Sequence, residues 1–199
     1  MSLCGGYVAY GGGNSWLPTD FVVARAADLT PVRCVTGHGK AVGVFSAWEN
    51  GFASGSADRT VRLWDWESAT CHAVLPLRGL VRGLTCSRDG RHLTAAGGAV
   101  IHRYAAPPVA ESGHHHVKTG DLRGHTKRVD CLELTPDGTR LASASDDGTV
   151  RVWDTATGTE LRVFHPKLGP LHWIAFAPDG LTLAFSSQKG HVGLLDMDG

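Results

Sequence analysis

The chain has 199 residues, 42% of them hydrophobic, and its 19 Lys and Arg are balanced by 19 Asp and Glu. That length can bury a sizeable core as one domain or a short array. Zero net charge removes the simplest argument for nucleic acid or an anionic membrane surface as a partner. Abundant Gly (26) with Pro (9) suits a turn-rich all-β protein better than a helical one.

Cys4, Cys34, Cys71, Cys86 and Cys131 are odd in number, widely spaced and form no C-x-x-C. They predict reduced thiols in an intracellular protein, not a disulfide framework or a zinc site. Residues 1–20 lack the basic start and continuous apolar core of a signal peptide. No apolar run approaches the roughly 18 residues of a membrane span. The expectation is a soluble chain of the cytoplasm or nucleus.

In chain order, residues 5–36 read as a partial unit of about three strands that starts inside a repeat and lacks its innermost strand. Gly5–Gly13 holds one strand and a glycine turn, Phe21–Arg25 and Pro31–Val35 two more, with Trp16-Leu-Pro18 as loop. A complete unit spans 37–78. It opens on Gly37-His38, turns at Trp48–Gly51, and carries Ser54-Gly-Ser-Ala-Asp58 followed by Thr60-Val-Arg-Leu-Trp64-Asp65. Val61 and Leu63 alternate with Arg62, the period of a strand with one buried face.

The unit at 79–123 keeps the frame, but Leu80 stands for the His and Tyr104-Ala105 for the Trp-Asp, and an insertion at 105–116 reads as loop. Residues 124–166 are the best copy: Gly124-His125, Ser143-Ala-Ser-Asp-Asp147, then Val150-Arg-Val-Trp153-Asp154. The unit at 167–199 decays, with Lys189 for the turn Asp and Leu195 for the Trp, and it lacks an outer strand. In both good copies Asp lies four residues after the first Ser, and Trp six residues after that Asp. Trp64 and Trp153 are two repeats of about 44 residues apart, within the roughly 40–45 expected of a four-stranded propeller blade.

The Gly-His, Ser-x-x-x-Asp and Trp-Asp pattern resembles the WD-repeat β-propeller family. The resemblance implies an all-β propeller of four-stranded antiparallel blades. About five blades are present here, so the array is expected to be incomplete or unclosed. It also implies a hydrogen-bonded chain within each intact blade: His38, Ser54, Asp58 and Trp64, then His125, Ser143, Asp147 and Trp153. Such groups are useful only as a complete set, because each one buried unpaired costs about 1–3 kcal/mol.

Ser, His and Asp also invite a hydrolase reading. A nucleophilic Ser needs an exposed position and an oxyanion hole, whereas here it sits inside an apolar strand and recurs in two units. The structural chain is favoured, and no enzyme, cofactor or small-molecule substrate is expected. His114-His-His116 is read as a solvated loop and not a metal site.

A rigid face of variable loops suits docking of proteins or peptides, so the expected function is a scaffold or adaptor in a multi-subunit complex. The resemblance places candidate partner contacts at Lys40, Ala57, Arg59, Arg82, Lys127, Arg128 and Asp146. A ubiquitin-ligase substrate receptor is the alternative. It is demoted because Glu67 and Ala156 stand where many such receptors carry Arg.

Overall fold

Val61 and Leu63 are fully buried and Arg62 between them is not, so the strand turns one face inward, as its alternation requires. The computed structural model describes residues 2–4, 7–11, 20–106 and 116–198, and every regular element among them is a strand. The strands form five antiparallel sheets in strict chain order. The first holds β1 (Ser2–Cys4), β2 (Tyr7–Gly11), β3 (Phe21–Arg25) and β4 (Pro31–Val35). The second holds β5 (Val42–Trp48), β6 (Gly51–Ser56), β7 (Thr60–Asp65) and β8 (Cys71–Pro76). The third holds β9 (Val81–Cys86), β10 (His92–Gly97), β11 (Val100–Ala105) and β12 (Val117–Leu122). The fourth holds β13 (Val129–Leu134), β14 (Arg140–Ser145), β15 (Val150–Asp154) and β16 (Glu160–Phe164). The fifth has three strands, β17 (Leu171–Phe176), β18 (Thr182–Ser187) and β19 (Val192–Asp196).

The first sheet corrects an expectation. It has four strands, and Ser2–Cys4 pairs with Tyr7–Ala9 as the inner one. At three residues it is too short for an alternation pattern to reveal. Trp16-Leu-Pro18 lies outside the described residues.

The sheets stack through their inner strands, β1 on β5, β5 on β9, β9 on β13 and β13 on β17. No comparable contact joins β17 to β1 among the described residues, so the row is open. The apolar core is accordingly divided into four slabs, one per seam. In the first, Phe21 meets Phe45, Phe52 and Trp64 edge-on at 5.2–5.7 Å between ring centres. Such pairs add about 0.5–1.5 kcal/mol beyond their buried area. On the fifth sheet the face that a further sheet would cover is bare: Trp173 is 66%, Val192 76% and Leu194 71% exposed.

Trp48 is not a turn residue. It closes β5, is buried, and lays its ring over Gly90 of the next sheet, where a Cβ would come within 2.4 Å of the indole. Gly138 occupies the same turn one sheet later, at φ +72 against +69, and a Cβ there would meet nothing within 4 Å. Alanine at either position meets the left-handed backbone penalty, about 1–2 kcal/mol. Only at Gly90 is overpacking added, a further cost of about 1–3 kcal/mol. Urea denaturation of Gly90→Ala and Gly138→Ala should therefore separate the two by at least the second amount. Equal losses would mean that Trp48 does not seal this seam.

Candidate functional site

Each of the two best repeats folds its polar residues into one buried chain. In the fourth sheet, β14 and β15 pair Leu141 with Trp153 and Ser143 with Arg151, which puts the Ser143 hydroxyl beside the indole. Trp153 Nε1–H donates to Ser143 Oγ at 2.9 Å, and Ser143 Oγ lies 2.7 Å from His125 Nε2. His125 Nδ1 lies 2.8 Å from Asp147 Oδ2. The second sheet repeats this with Trp64 on Ser54 at 2.7 Å, Ser54 to His38 at 2.7 Å, and His38 to Asp58 at 2.9 Å. An indole can only donate and a carboxylate can only accept. The histidine therefore carries its proton on Nδ1, donating to Asp, and takes the Ser hydroxyl proton's hydrogen bond at Nε2.

The carboxylates also tie the loops. Asp147 accepts from the backbone N–H of Thr126 and Thr149 and from the Thr149 hydroxyl. Asp58 does the same for Gly39 and Thr60. Burial pushes the Asp147 carboxyl up, but the Thr149, His125 and Thr126 hydrogen bonds outweigh it and hold it at about 2. Asp58 is held still further below the usual carboxylate range by the same kind of donors, again against burial. Burial holds His38 and His125 below the ordinary histidine value, despite their Asp partners, so both rings are neutral near pH 7.

Ser–His–Asp distances here resemble those of a hydrolase triad, yet Ser54 and Ser143 are 0% exposed and each accepts an indole N–H. A substrate carbonyl has no approach to either oxygen.

Of the loop residues singled out from the sequence, Lys40, Arg59, Arg82 and Lys127 are exposed, and Ala57, Arg128 and Asp146 half-buried. All lie at one end of the row, on the connections entering each sheet and on the second-to-third-strand turns, or, for Arg82, at the start of an inner strand. Arg128 is brought together with Asp146, Nη2 to Oδ2 at 3.1 Å, while Lys40 and Arg59 stand on a different sheet. Glu67 and Ala156 are exposed at the opposite end. His114 and His115 lie outside the described residues. His116 does not belong to a solvated loop: it is buried, and its Nε2 is 2.8 Å from the Gly90 carbonyl oxygen, with its ring beside Trp48.

The sequence did not disclose a charged cluster around Asp130. Each inner strand from β5 to β17 has a register shift near its start, which leaves Gly43, Arg82, Asp130 and His172 unpaired in four successive sheets. Asp130 is buried between Arg128, at 2.8 Å, and Arg82, at 3.7 Å, with His172 at 3.9 Å. Asp130, Asp146 and His172 bring three potential metal donors together. Arg128 spans both carboxylates, so their charge is already met from within the protein. The only signal was the residue after Val81, Val129 and Leu171 in aligned repeats, which no propensity marks.

The family model "WD domain, G-beta repeat" matches residues 29–65 and 116–154, the segments that carry these two hydrogen-bonded chains. The chain is a WD-repeat protein. It is 30% identical over 145 residues to the "Target of rapamycin complex subunit wat1" of Schizosaccharomyces pombe, covering 72% of this chain and 44% of that one. It is 30% identical over 185 residues to the "Transcription initiation factor TFIID subunit 5" of Caenorhabditis elegans, covering 89% and 27%. With the "Guanine nucleotide-binding protein subunit beta-2" of the same organism it shares 36% over 105 residues, covering 51% and 27%. The WD-repeat chain spans less than half the length of each of these relatives.

The two weak WD repeats replace the polar chain as a set. In the third sheet, register puts Ala95 at the Ser position and Tyr104 at the Trp position; the His position, four residues before Val81, is held by buried Leu77 and not by Leu80, which is exposed. In the fifth, Phe185 stands at the Ser position opposite Gly193, where a Cβ would come within 2.5 Å of the phenyl ring.

Removing one member should therefore hurt more than removing all. Ser143→Ala leaves an indole N–H and an imidazole nitrogen unpaired, a loss of about 2–4 kcal/mol. The triple change His125→Leu, Ser143→Ala, Trp153→Tyr, which copies the third sheet, should lose clearly less than the sum of its single changes in urea melts. Additive losses would mean that the four groups do not act as a unit.

Acid should unfold the protein in two steps. His38 and His125 have folded values below their unfolded ones, so the unfolded chain binds protons first and stability falls as pH drops below about 6.5. Asp58 and Asp147 are depressed too, so their contribution is lost as pH falls below about 4. Urea midpoints measured from pH 7.5 to 3 should show both, with the upper step diminished in His38→Asn/His125→Asn. An unchanged upper step would assign it to other histidines.

Proposed function

We propose that this WD-repeat chain is a protein-interaction scaffold that presents its loop face to partner proteins within a multi-subunit complex. The observation that carries it is the division of labour at that face. The polar groups with chemical potential, Ser54, His38, Ser143 and His125, are turned inward and saturated, while Lys40, Arg59 and Lys127 stand outward on loops held by them and Arg82 stands outward on the neighbouring inner strand. A surface built that way offers shape and charge to a partner and no reacting group to a substrate. Two of the relatives are by name subunits of larger complexes, which supports the same reading.

The cytoplasm or the nucleus is the compartment that fits free thiols at Cys34, Cys71, Cys86 and Cys131, and among the described residues no helix is long and apolar enough to cross a membrane. No metal or organic cofactor is part of this reading. The ubiquitin-ligase alternative gains nothing from Glu67 and Ala156, neither of which offers a cation at its turn.

A photo-crosslinking residue placed in turn at Lys40, Arg82, Lys127, Glu67 and Asp137 tests the face directly in extracts of the source cell. The first three positions should capture the same protein or proteins, and the last two, at the other end of the row, should not. Capture only from Glu67 and Asp137 would move the interaction to the opposite face.

A further inference from the structure

Zero net charge conceals a strong separation between the two ends of the row. The connections entering each sheet and the second-to-third-strand turns carry Lys40, Arg59, Arg78, Lys127, Lys167 and Lys189, all exposed. The acidic groups of that end are mostly withdrawn below the surface. Asp58, Asp147 and Asp130 have side chains only 14%, 6% and 5% exposed, engaged with His38, His125 and Arg128. Asp146 is held by Arg128, and Asp20 lies at the margin, on the first sheet. The opposite end is the reverse. Its turns expose Asp28, Glu49, Glu67, Asp89, Asp137 and Asp179, against Arg88 and Arg91. In the second and fourth sheets the separation follows from the repeat itself, because the blade's hydrogen-bonded chain draws the turn Asp inward and leaves Lys40, Arg59 and Lys127 outside.

We infer that the basic end binds an acidic polypeptide segment of a partner protein. This rests on the scaffold reading and adds the chemistry of the partner. Three further observations favour it. Lys127, His165 and Lys167 line a cleft of about 390 Å³ between the fourth and fifth sheets, with Lys189 beside its Gly169 wall; Asp146 and Asp147 line it too, but they are already engaged by Arg128 and His125. That recess is large enough for carboxylate side chains. Arg59 adopts φ +71 in a turn where the fourth sheet uses Gly148 at φ +82, and Lys167 adopts φ +60. Two of these cations are thus kept at backbone positions where glycine would be less strained. The loops of this end carry no Trp, Tyr or Phe among the described residues on which a nucleic-acid base could stack. An acidic segment needs only the charges.

Fluorescence anisotropy tests this with a labelled peptide of about 15 Glu and Ser residues, a Lys-for-Glu counterpart, and a single-stranded oligonucleotide of equal charge. The acidic peptide should bind, the basic one should not, and affinity should fall as salt rises and the screening length shortens. Lys40→Glu/Lys127→Glu/Lys167→Glu should weaken binding at least about tenfold, each reversal removing an attraction and adding a repulsion. Arg88→Glu/Arg91→Glu, at the other end, should leave it unchanged. Arg59→Gly should weaken binding while raising the melting temperature, an opposition that a purely structural arginine would not produce.

Oligonucleotide binding as tight as the peptide's and lost in the same variants would overturn the acidic-polypeptide assignment in favour of nucleic acid. No acidic-peptide binding, or binding indifferent to the triple reversal, would overturn it as well. In that case continued crosslinking from Lys40 and Lys127 would leave the scaffold reading standing, and loss of both would remove it too.

Discussion

Ser143 holds the one hydroxyl between an indole N–H and an imidazole nitrogen in its sheet, and its contacts to them, at 2.9 and 2.7 Å against 3.3 Å to the Arg151 carbonyl oxygen, set the order of donors once the imidazole is neutral. The indole must donate to the oxygen, the hydroxyl to Nε2, and Nδ1–H to Asp147. Through Asp147 the chain reaches the backbone of both Thr126 and Thr149, so one buried oxygen positions an entry loop and a turn. Ser54 does the same for Gly39 and Thr60. Low dielectric makes such a set strong when complete and costly when broken, which is why the weak repeats abandon it as a whole: Leu77, Ala95 and Tyr104 form one substitute, Phe185, Gly193 and Leu195 another.

Cooperation between sheets has a different origin. Each seam is an apolar slab, and each is closed in its own way, by Phe21 and Trp64 in the first and by Trp48 on Gly90 in the second. Since a sheet touches only its neighbours, stability is a sum over seams. The bare face at Trp173, Val192 and Leu194 is the counterpart of surfaces that are covered elsewhere in the row. The same architecture sends the carboxylates of one end inward, and so couples the internal hydrogen bonds to the charge that a partner meets.

The fold was legible because its information is local and periodic. Gly124-His125, Ser143, Asp147 and Trp153 recur at fixed offsets, and the hydrogen bonds they make are dictated by donor and acceptor type alone. Three features were not legible, each for a stated reason. Ser2–Cys4 is too short to show alternation. Trp48 resembles a turn residue beside Asn50 and Gly51, and only a neighbouring sheet reveals that it is buried. The Asp130 cluster draws Arg82, Arg128 and His172 from three sheets, so no linear spacing encodes it. His116 belongs with these: inside a run of three histidines it looks solvated, and its carbonyl partner is on a turn 26 residues away.

The proton order of the buried chain can be read directly. Long-range ¹H–¹⁵N NMR of the imidazole rings at pH 7 distinguishes the two neutral tautomers and the imidazolium. His38 and His125 should both be neutral with the proton on Nδ1, since Asp58 and Asp147 can only accept and the indoles can only donate. A proton on Nε2 in either ring, or a charged ring, would contradict a chain that runs from Trp through Ser and His to Asp.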